Sequence, residues 1–339
     1  MSLDRLAGVR RRAAALGLVG LLGALATAPV ALAAPVPAIV PTDPGPVTGT
    51  RLRDVRVLAH FDRAAGQVAE SIALEPGGSV VVGMIAARQV VRVAPDGAVQ
   101  ILATMPLPPG GGTTTPVVGA PDVTGVARSD RGAVYFLYSS GQGGMTGIWR
   151  LPRSGKPRLV VPLPADAFPN ALVIDGRRHR FLVTDSAGGR IWQAPLSGGK
   201  ASVWSADPAL APAGFFGANG MKIHDGAVWA TNSDQGTIVR IPVTKEGGSG
   251  RGEVRATGLE GIDDFDFTGR GTEILAAINQ SSKLVRVDGD GSHKTVLDAD
   301  DGMQGTTAVI VRRSRVYVTN GANLAGNDPT LMLAKMQRR

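Results

Sequence analysis

Four oxygen-bearing side chains, Glu70, Asn170, Asn219 and Asp263, each open a similar short run of sequence: a polar residue, a small or polar residue, then alternating apolar residues. Brought to one point, two carboxylates and two amides make a hard, all-oxygen site of the kind that suits Ca2+. That ion takes six to eight oxygens in irregular geometry and would keep positions for water and substrate. Glu70 and Asp263 would balance its charge. An ion held this way polarises a carbonyl or phosphoryl oxygen and acidifies water, which points to hydrolysis of an ester, lactone or phosphoester. Asp263, the shorter carboxylate, is the expected base or nucleophile. A lone Asn or Asp opening a strand more often satisfies a turn; the argument here rests on four such residues at one repeat position.

The runs themselves show what must position these groups. They begin at Glu70, Thr124, Asn170, Asn219 and Asp263, with a sixth at Thr306 or Thr307, and the spacing of about 43 to 54 residues is that of a four-stranded propeller blade. Behind each leader comes a turn rich in Gly, Asp or Arg and a second apolar strand, as in Ser79-Val80-Val81-Val82-Gly83 and Ala227-Val228-Trp229-Ala230-Thr231. A third follows, such as Gly147-Ile148-Trp149-Arg150-Leu151, and then a more polar fourth, such as Val99-Gln100-Ile101-Leu102. Period-two alternation between Gly-rich turns, with no sustained helical period, predicts an all-β fold, a six-bladed β-propeller spanning residues 51–339. The last unit lacks a fourth strand, and the run from Val55 to His60 has no blade of its own. The two ends of the chain are therefore expected to share the sixth blade, which removes an exposed sheet edge.

Residues 1–33 read as a secretory signal peptide: Arg5 and Arg10-Arg11-Arg12, an apolar stretch, then Ala31-Leu32-Ala33 as a small-residue cleavage motif. Residues 34–50 are rich in Pro and Gly and are expected to form a flexible leader. The protein is thus expected outside the cytoplasm, secreted or periplasmic, with no membrane association once the signal is removed. The formal charge of +8 falls to +5 without Asp4 and those four arginines. With its charges scattered and no interleaved aromatics, nucleic acid is not an expected partner. The chain has no cysteine, which excludes disulfides and thiol chemistry. A monomer acting on a small-molecule lactone or ester is expected.

Pro169-Asn170-Ala171-Leu172, Ala218-Asn219-Gly220-Met221 and Glu70-Ser71-Ile72 resemble motifs of calcium-dependent propeller hydrolases, the senescence marker protein and gluconolactonase (regucalcin-like) family. Diisopropylfluorophosphatase and, more distantly, paraoxonase are similar propellers. The resemblance covers the chain from about residue 54 onward. It implies that Glu70, Asn170, Asn219 and Asp263 bind the catalytic calcium and that Asp263 is general base or nucleophile. The departures are informative: Thr124 stands where paraoxonases carry a histidine, and Ser71 and Ala171 replace acidic residues of a second calcium site. Phe168 replaces a sugar-binding arginine, favouring a more apolar substrate. His60, His179, His224 and His293 are all expected in outer strands or turns, leaving no central histidine.

Two long loops, residues 104–122 and 207–218, are expected to overhang the site. Phe168, Phe215 and Phe216 would wall the substrate there, with Thr124 beside them. Asp264 reads as a turn residue and Asp266 as a solvated strand position. Two other functions fit the same fold: a non-catalytic binding propeller that calcium merely rigidifies, and a strictosidine-synthase-like enzyme, which would not need the quartet.

Overall fold

The computed structural model describes residues 49–337 except 154 and 325, so the signal peptide at 1–33 and the leader as far as residue 48 lie outside the described residues. The described residues form six four-stranded antiparallel sheets. The first runs outward through Ala69–Leu74, Val80–Met84, Gln89–Val93 and Val99–Thr104, and the next four repeat that order. Helical structure among the described residues is confined to short 3-10 turns at Pro109–Gly112, Pro208–Leu210 and Ala299–Asp301.

Closure takes the expected form. The sixth sheet runs from Thr306–Arg312 through Arg315–Asn320 and Thr330–Gln337 to Arg51–His60, its outermost strand. Arg56 pairs with Leu333, Val57 with Met332 and His60 with Thr330. The described residues begin just upstream of that strand. Thr50, placed by the sequence in a flexible leader, is buried, and its hydroxyl donates to Glu273 on the neighbouring blade.

Successive side chains point to opposite faces of a strand, so near-continuous apolar runs such as Val80–Met84 and Ile274–Ile278 bury both faces, and the core is the set of interfaces between successive sheets. Phe136, Tyr138 and Val126 pack against Val81 and Val90 between the first two blades; Phe265, Ile274 and Ile278 pack against Trp229 and Ile238 between the fourth and fifth. Phe61, Tyr317 and Leu331 meet Ile72 and Val82 where the ring closes.

The inner strands carry a shared irregularity. In each, one extra residue sits opposite the second strand just where the leader stands: Ala69 faces Met84 but Ile72 faces Val82, Ala218 faces Asn232 but Met221 faces Ala230, and so on round the ring. A bulge of this kind re-aims the side chain it contains. In the sixth blade Thr306 pairs with Asn320, as Ala69 pairs with Met84 and Ala218 with Asn232, so Thr307 is the residue equivalent to Glu70 and Asn219.

Neighbouring blades lock these bulges. The Thr184 hydroxyl accepts from Ala171 N and donates to the carbonyl of Asn219 at 2.6 Å. Thr231 donates to Asp263 O and Thr319 to Glu70 O in the same way. The small residue after the leader has a physical cause. A Cβ on Gly220 would lie 2.6 Å from the Asp263 carbonyl, and one on Gly125 2.5 Å from that of Asn170.

Candidate active site

Glu70, Thr124, Phe168, Asn170, Phe215, Phe216, Asn219 and Asp263 all line one cavity of about 340 Å³. Glu70, Asn170, Asn219 and Asp263 also line a smaller space of about 10 Å³ together with Ser71, Gly220, Asp264 and Thr307. Those four therefore stand between the substrate-sized cavity and the rest of the channel. They are nearly buried, at 5 to 8% exposure.

The orientation of the two amides follows from their neighbours. Ser186 donates to Ala218 O and Ser233 to Ile262 O, each at 2.6 Å. A hydroxyl has one hydrogen, so each serine can only accept from the asparagine beside it, and Asn170 Nδ2 and Asn219 Nδ2 donate to them at 3.1 and 2.9 Å. The amide oxygens are thereby left to the cavity. The two leading threonines differ: Thr124 Oγ1 donates to Pro169 O at 2.8 Å and Thr307 Oγ1 to Ala69 O at 3.0 Å. The Thr124 hydrogen goes to the joint between blades, so toward the cavity Thr124 offers its methyl group or an acceptor oxygen; Thr307 also reaches Thr319 Oγ1 at 3.0 Å within its own blade.

Electrostatically the centre calls for a cation. Burial, then Asp264 and Asp122, push Glu70 up to about 8. Burial, with Glu70 and Asp264 adding, holds Asp263 well above the ordinary range, and only a hydrogen bond from Asn219 favours its ionised form. Two carboxyls that resist ionising for want of a positive neighbour, beside two free amide oxygens, fit Ca2+ by charge and by donor type. Among the described residues no three His, Asp or Glu side chains gather as a metal cluster, so any ion here depends on the amides.

Phe168 is buried, and its ring stacks on Phe216 at 4.9 Å, which in turn meets Phe215 at 4.2 Å. The loop that carries Phe215 and Phe216 is tied by one carboxylate that the sequence did not single out. Asp234 accepts from Ala213 N, Phe215 N and Phe216 N at 2.7 to 3.1 Å. Of the other long loop, only its later part reaches the cavity, through Val118 and Ala120. Loops joining second to third strands also contribute, through Ile85, Gln280 and Leu324, because an antiparallel meander returns them to the same face.

Three expectations are corrected. Asp264 is no turn residue; it lies within the strand Ile262–Phe267 and takes Lys222 Nζ at 2.6 and 2.7 Å, an ion pair in the channel. Asp266 is half-buried and held by hydrogen bonds rather than freely solvated: it accepts from Val311 N and Phe267 N, and burial pushes it up to about 6. His224 ends an inner strand, stacked on Phe267 at 3.9 Å. Ser186, Ser233 and Asp122 were also missed. A Thr-Asp/Asn-Ser pattern at 184–186 and 231–233 marks the serines, whereas nothing in the repeat marks Asp122.

A larger open cleft of about 740 Å³ lies elsewhere, lined by Arg177, Arg178, Arg180, Lys200 and Lys245. It gathers cations that the sequence showed only as scattered, and none of the candidate site residues lines it.

Neither a protein-family profile nor a curated protein matches the sequence. Solved structures do match. A gluconolactonase from Xanthomonas campestris is 15% identical, with a TM-score of 0.60, over 86% of this chain and 98% of that one. A calcium-binding protein, regucalcin, from Agrobacterium tumefaciens is 15% identical, with a TM-score of 0.61, over 84% and 95%. An aldose sugar dehydrogenase from Streptomyces coelicolor, solved with PQQ bound, is 14% identical, with a TM-score of 0.61, over 85% and 99%. At these identities the likeness is one of fold. This chain has the six-bladed propeller of gluconolactonase-like proteins, and the same propeller serves other chemistry, so function must be argued from the site.

Proposed function

We propose that this protein is a calcium-dependent hydrolase of lactones or related esters, exported from the cytoplasm and acting as a monomer on a small, largely apolar substrate. The observation that carries this reading is the quartet: two buried carboxylates without a cationic partner, faced by two asparagine oxygens that the serines leave free. Glu70, Asn170, Asn219 and Asp263 would hold the ion. Bound there, calcium would polarise the substrate carbonyl and lower the pKa of water.

The rest is supplied by the chain. Phe168, Phe215 and Phe216 give the acyl or ring portion an apolar wall and exclude water on that side. Asp263, held at the cavity floor by its bulge and by Thr231, takes the proton from the attacking water or attacks the carbonyl itself. The lack of an arginine at Phe168 leaves nothing there to hold sugar hydroxyls, which argues against sugar lactones.

Metal analysis of the purified mature protein, paired with a screen of lactones, aryl esters and phosphotriesters, tests the proposal. One calcium per chain with turnover of a lactone or ester supports it. Bound calcium without turnover of any of the three classes would favour a binding propeller, and a protein that takes up no calcium would defeat the metal assignment.

A further inference from the structure

We propose that Asp122 is the acid of this site, a carboxyl group that gives its proton to the leaving oxygen of the lactone or ester; the assignment rests on the hydrolase reading above. Asp122 begins the inner strand Asp122–Arg128 of the second blade, is 4% exposed, and lines the same cavity as Glu70 and Asp263. Its surroundings set it apart from the other buried carboxylates outside the quartet. Asp175 takes Arg180, Asp185 accepts from Phe168 N, Gly188 N and Trp192 Nε1, and Glu273 accepts from Thr50 and Thr268. Among the described residues no donor reaches the Asp122 carboxylate.

The charged and titratable groups around Asp122 are few. Arg88 acts on it through space, while its Nε and Nη1 donate to Met105 O and Ala86 O. Tyr138 donates its hydroxyl to Pro106 O, and Glu70 lies within electrostatic reach. A carboxylate with no hydrogen bond in such a place is costly, and the proton is the cheapest remedy. With no ion on the quartet, burial outweighs Arg88 and lifts Asp122 to about 7, a direction that favours the protonated form an acid catalyst needs.

The two carboxyls divide the proton traffic. As the water oxygen bonds to the carbonyl carbon, Asp263 takes the proton that water loses. When the tetrahedral species collapses, the bond from carbon to the leaving oxygen breaks and its electron pair stays on that oxygen. The Asp122 proton moves onto it, giving an alcohol or, from a lactone, a hydroxy acid. Asp122 is left ionised and is reprotonated from Asp263 or solvent, so the net reaction consumes one water. The help matters most for a strongly basic leaving group, an alkoxide, and least for a weakly basic one such as 4-nitrophenolate.

The test is Asp122→Asn in the calcium-loaded protein, assayed on an alkyl lactone and a 4-nitrophenyl ester, with calcium titration and a thermal melt alongside. Lactone kcat is expected to fall roughly 100-fold, a typical loss for one proton-transfer group. The nitrophenyl ester should lose far less, calcium affinity should hold, and Asp122→Glu should recover part of the lactone rate. Parallel losses on both substrates would overturn the assignment, and a large loss of calcium affinity would make Asp122 a ligand instead. A wild type that binds calcium but turns over neither substrate would overturn the hydrolase reading and this role with it. Should Asp122→Asn fail to fold, the wild-type pH profiles decide. Lactone turnover should fall on the alkaline side where turnover of the nitrophenyl ester does not, and superimposable profiles would refute the acid.

Discussion

Calcium should stabilise this protein far more at pH 8 than at pH 5. In the metal-free fold Glu70 is raised from 4.5 to about 8, and Asp263 is raised in the same direction. Between those limits the folded chain keeps a proton that the unfolded chain has released, so stability falls as pH rises through the window. At about 1.36 kcal/mol per pH unit, the Glu70 shift alone withdraws roughly 5 kcal/mol by pH 8. A cation on the quartet restores that loss, because it replaces the protons as the source of positive charge. At pH 5 it must first displace them and gains little. With roughly 2–4 °C of Tm per kcal/mol in a domain of this size, the calcium-induced rise should be on the order of 10 °C at pH 8 and much smaller at pH 5. Thermal melts in chelator and in excess calcium at both pH values are the assay. Glu70→Gln is the control; it should raise the pH 8 melting point in chelator and blunt the response to calcium. An equal calcium effect at both pH values, or an undiminished response in Glu70→Gln, would refute the reasoning.

Other substitutions probe other parts of the account. Asp263→Asn keeps an oxygen but loses the carboxylate proposed as base, so hydrolysis at saturating calcium should fall by roughly 100-fold or more, with the melt showing a folded protein. Thr184→Val strands Ala171 N and the Asn219 carbonyl inside the ring and should cost about 2–4 kcal/mol in denaturant unfolding. Asp234→Ala removes the acceptor of three backbone N–H groups and should free the loop bearing Phe215 and Phe216. It should raise KM for apolar substrates more than it lowers kcat, with faster hydrogen exchange at Phe215 and Phe216 as the direct readout. Deleting residues 51–60 uncovers the strand Thr330–Gln337 and should make the protein aggregate; unchanged solubility and melting would count against the paired termini.

The repeat was legible because its cause is local. Glycine after the leader at Gly125 and Gly220 is required by the carbonyl of the next blade, and continuous apolar runs such as Val80–Met84 mark strands whose two faces are both buried. Ring closure was legible as well, since Val55 to His60 read as a strand without a sheet. The features that escaped depend on what meets across blades. That Asp264 pairs with Lys222, that Asp266 holds Val311 N, and that Thr124 spends its hydroxyl on Pro169 cannot be read from any one repeat. The register of the sixth blade escaped for a simpler reason: Thr306 and Thr307 are identical, and only the pairing of Thr306 with Asn320 separates them. Asp122 breaks no pattern in the sequence and becomes notable only when its burial and its lack of a donor are seen together.

The central claim is that hydrolysis at the propeller axis depends on calcium held by Glu70, Asn170, Asn219 and Asp263. Turnover of an apolar lactone or aryl ester against free calcium concentration, in wild type and in Asn219→Ala, tests it most directly. The account predicts no turnover in chelator, a saturable rise that follows occupancy of a single site, and a curve displaced to higher calcium in the variant. Equal rates with and without chelator, or an unshifted curve in Asn219→Ala, would contradict it.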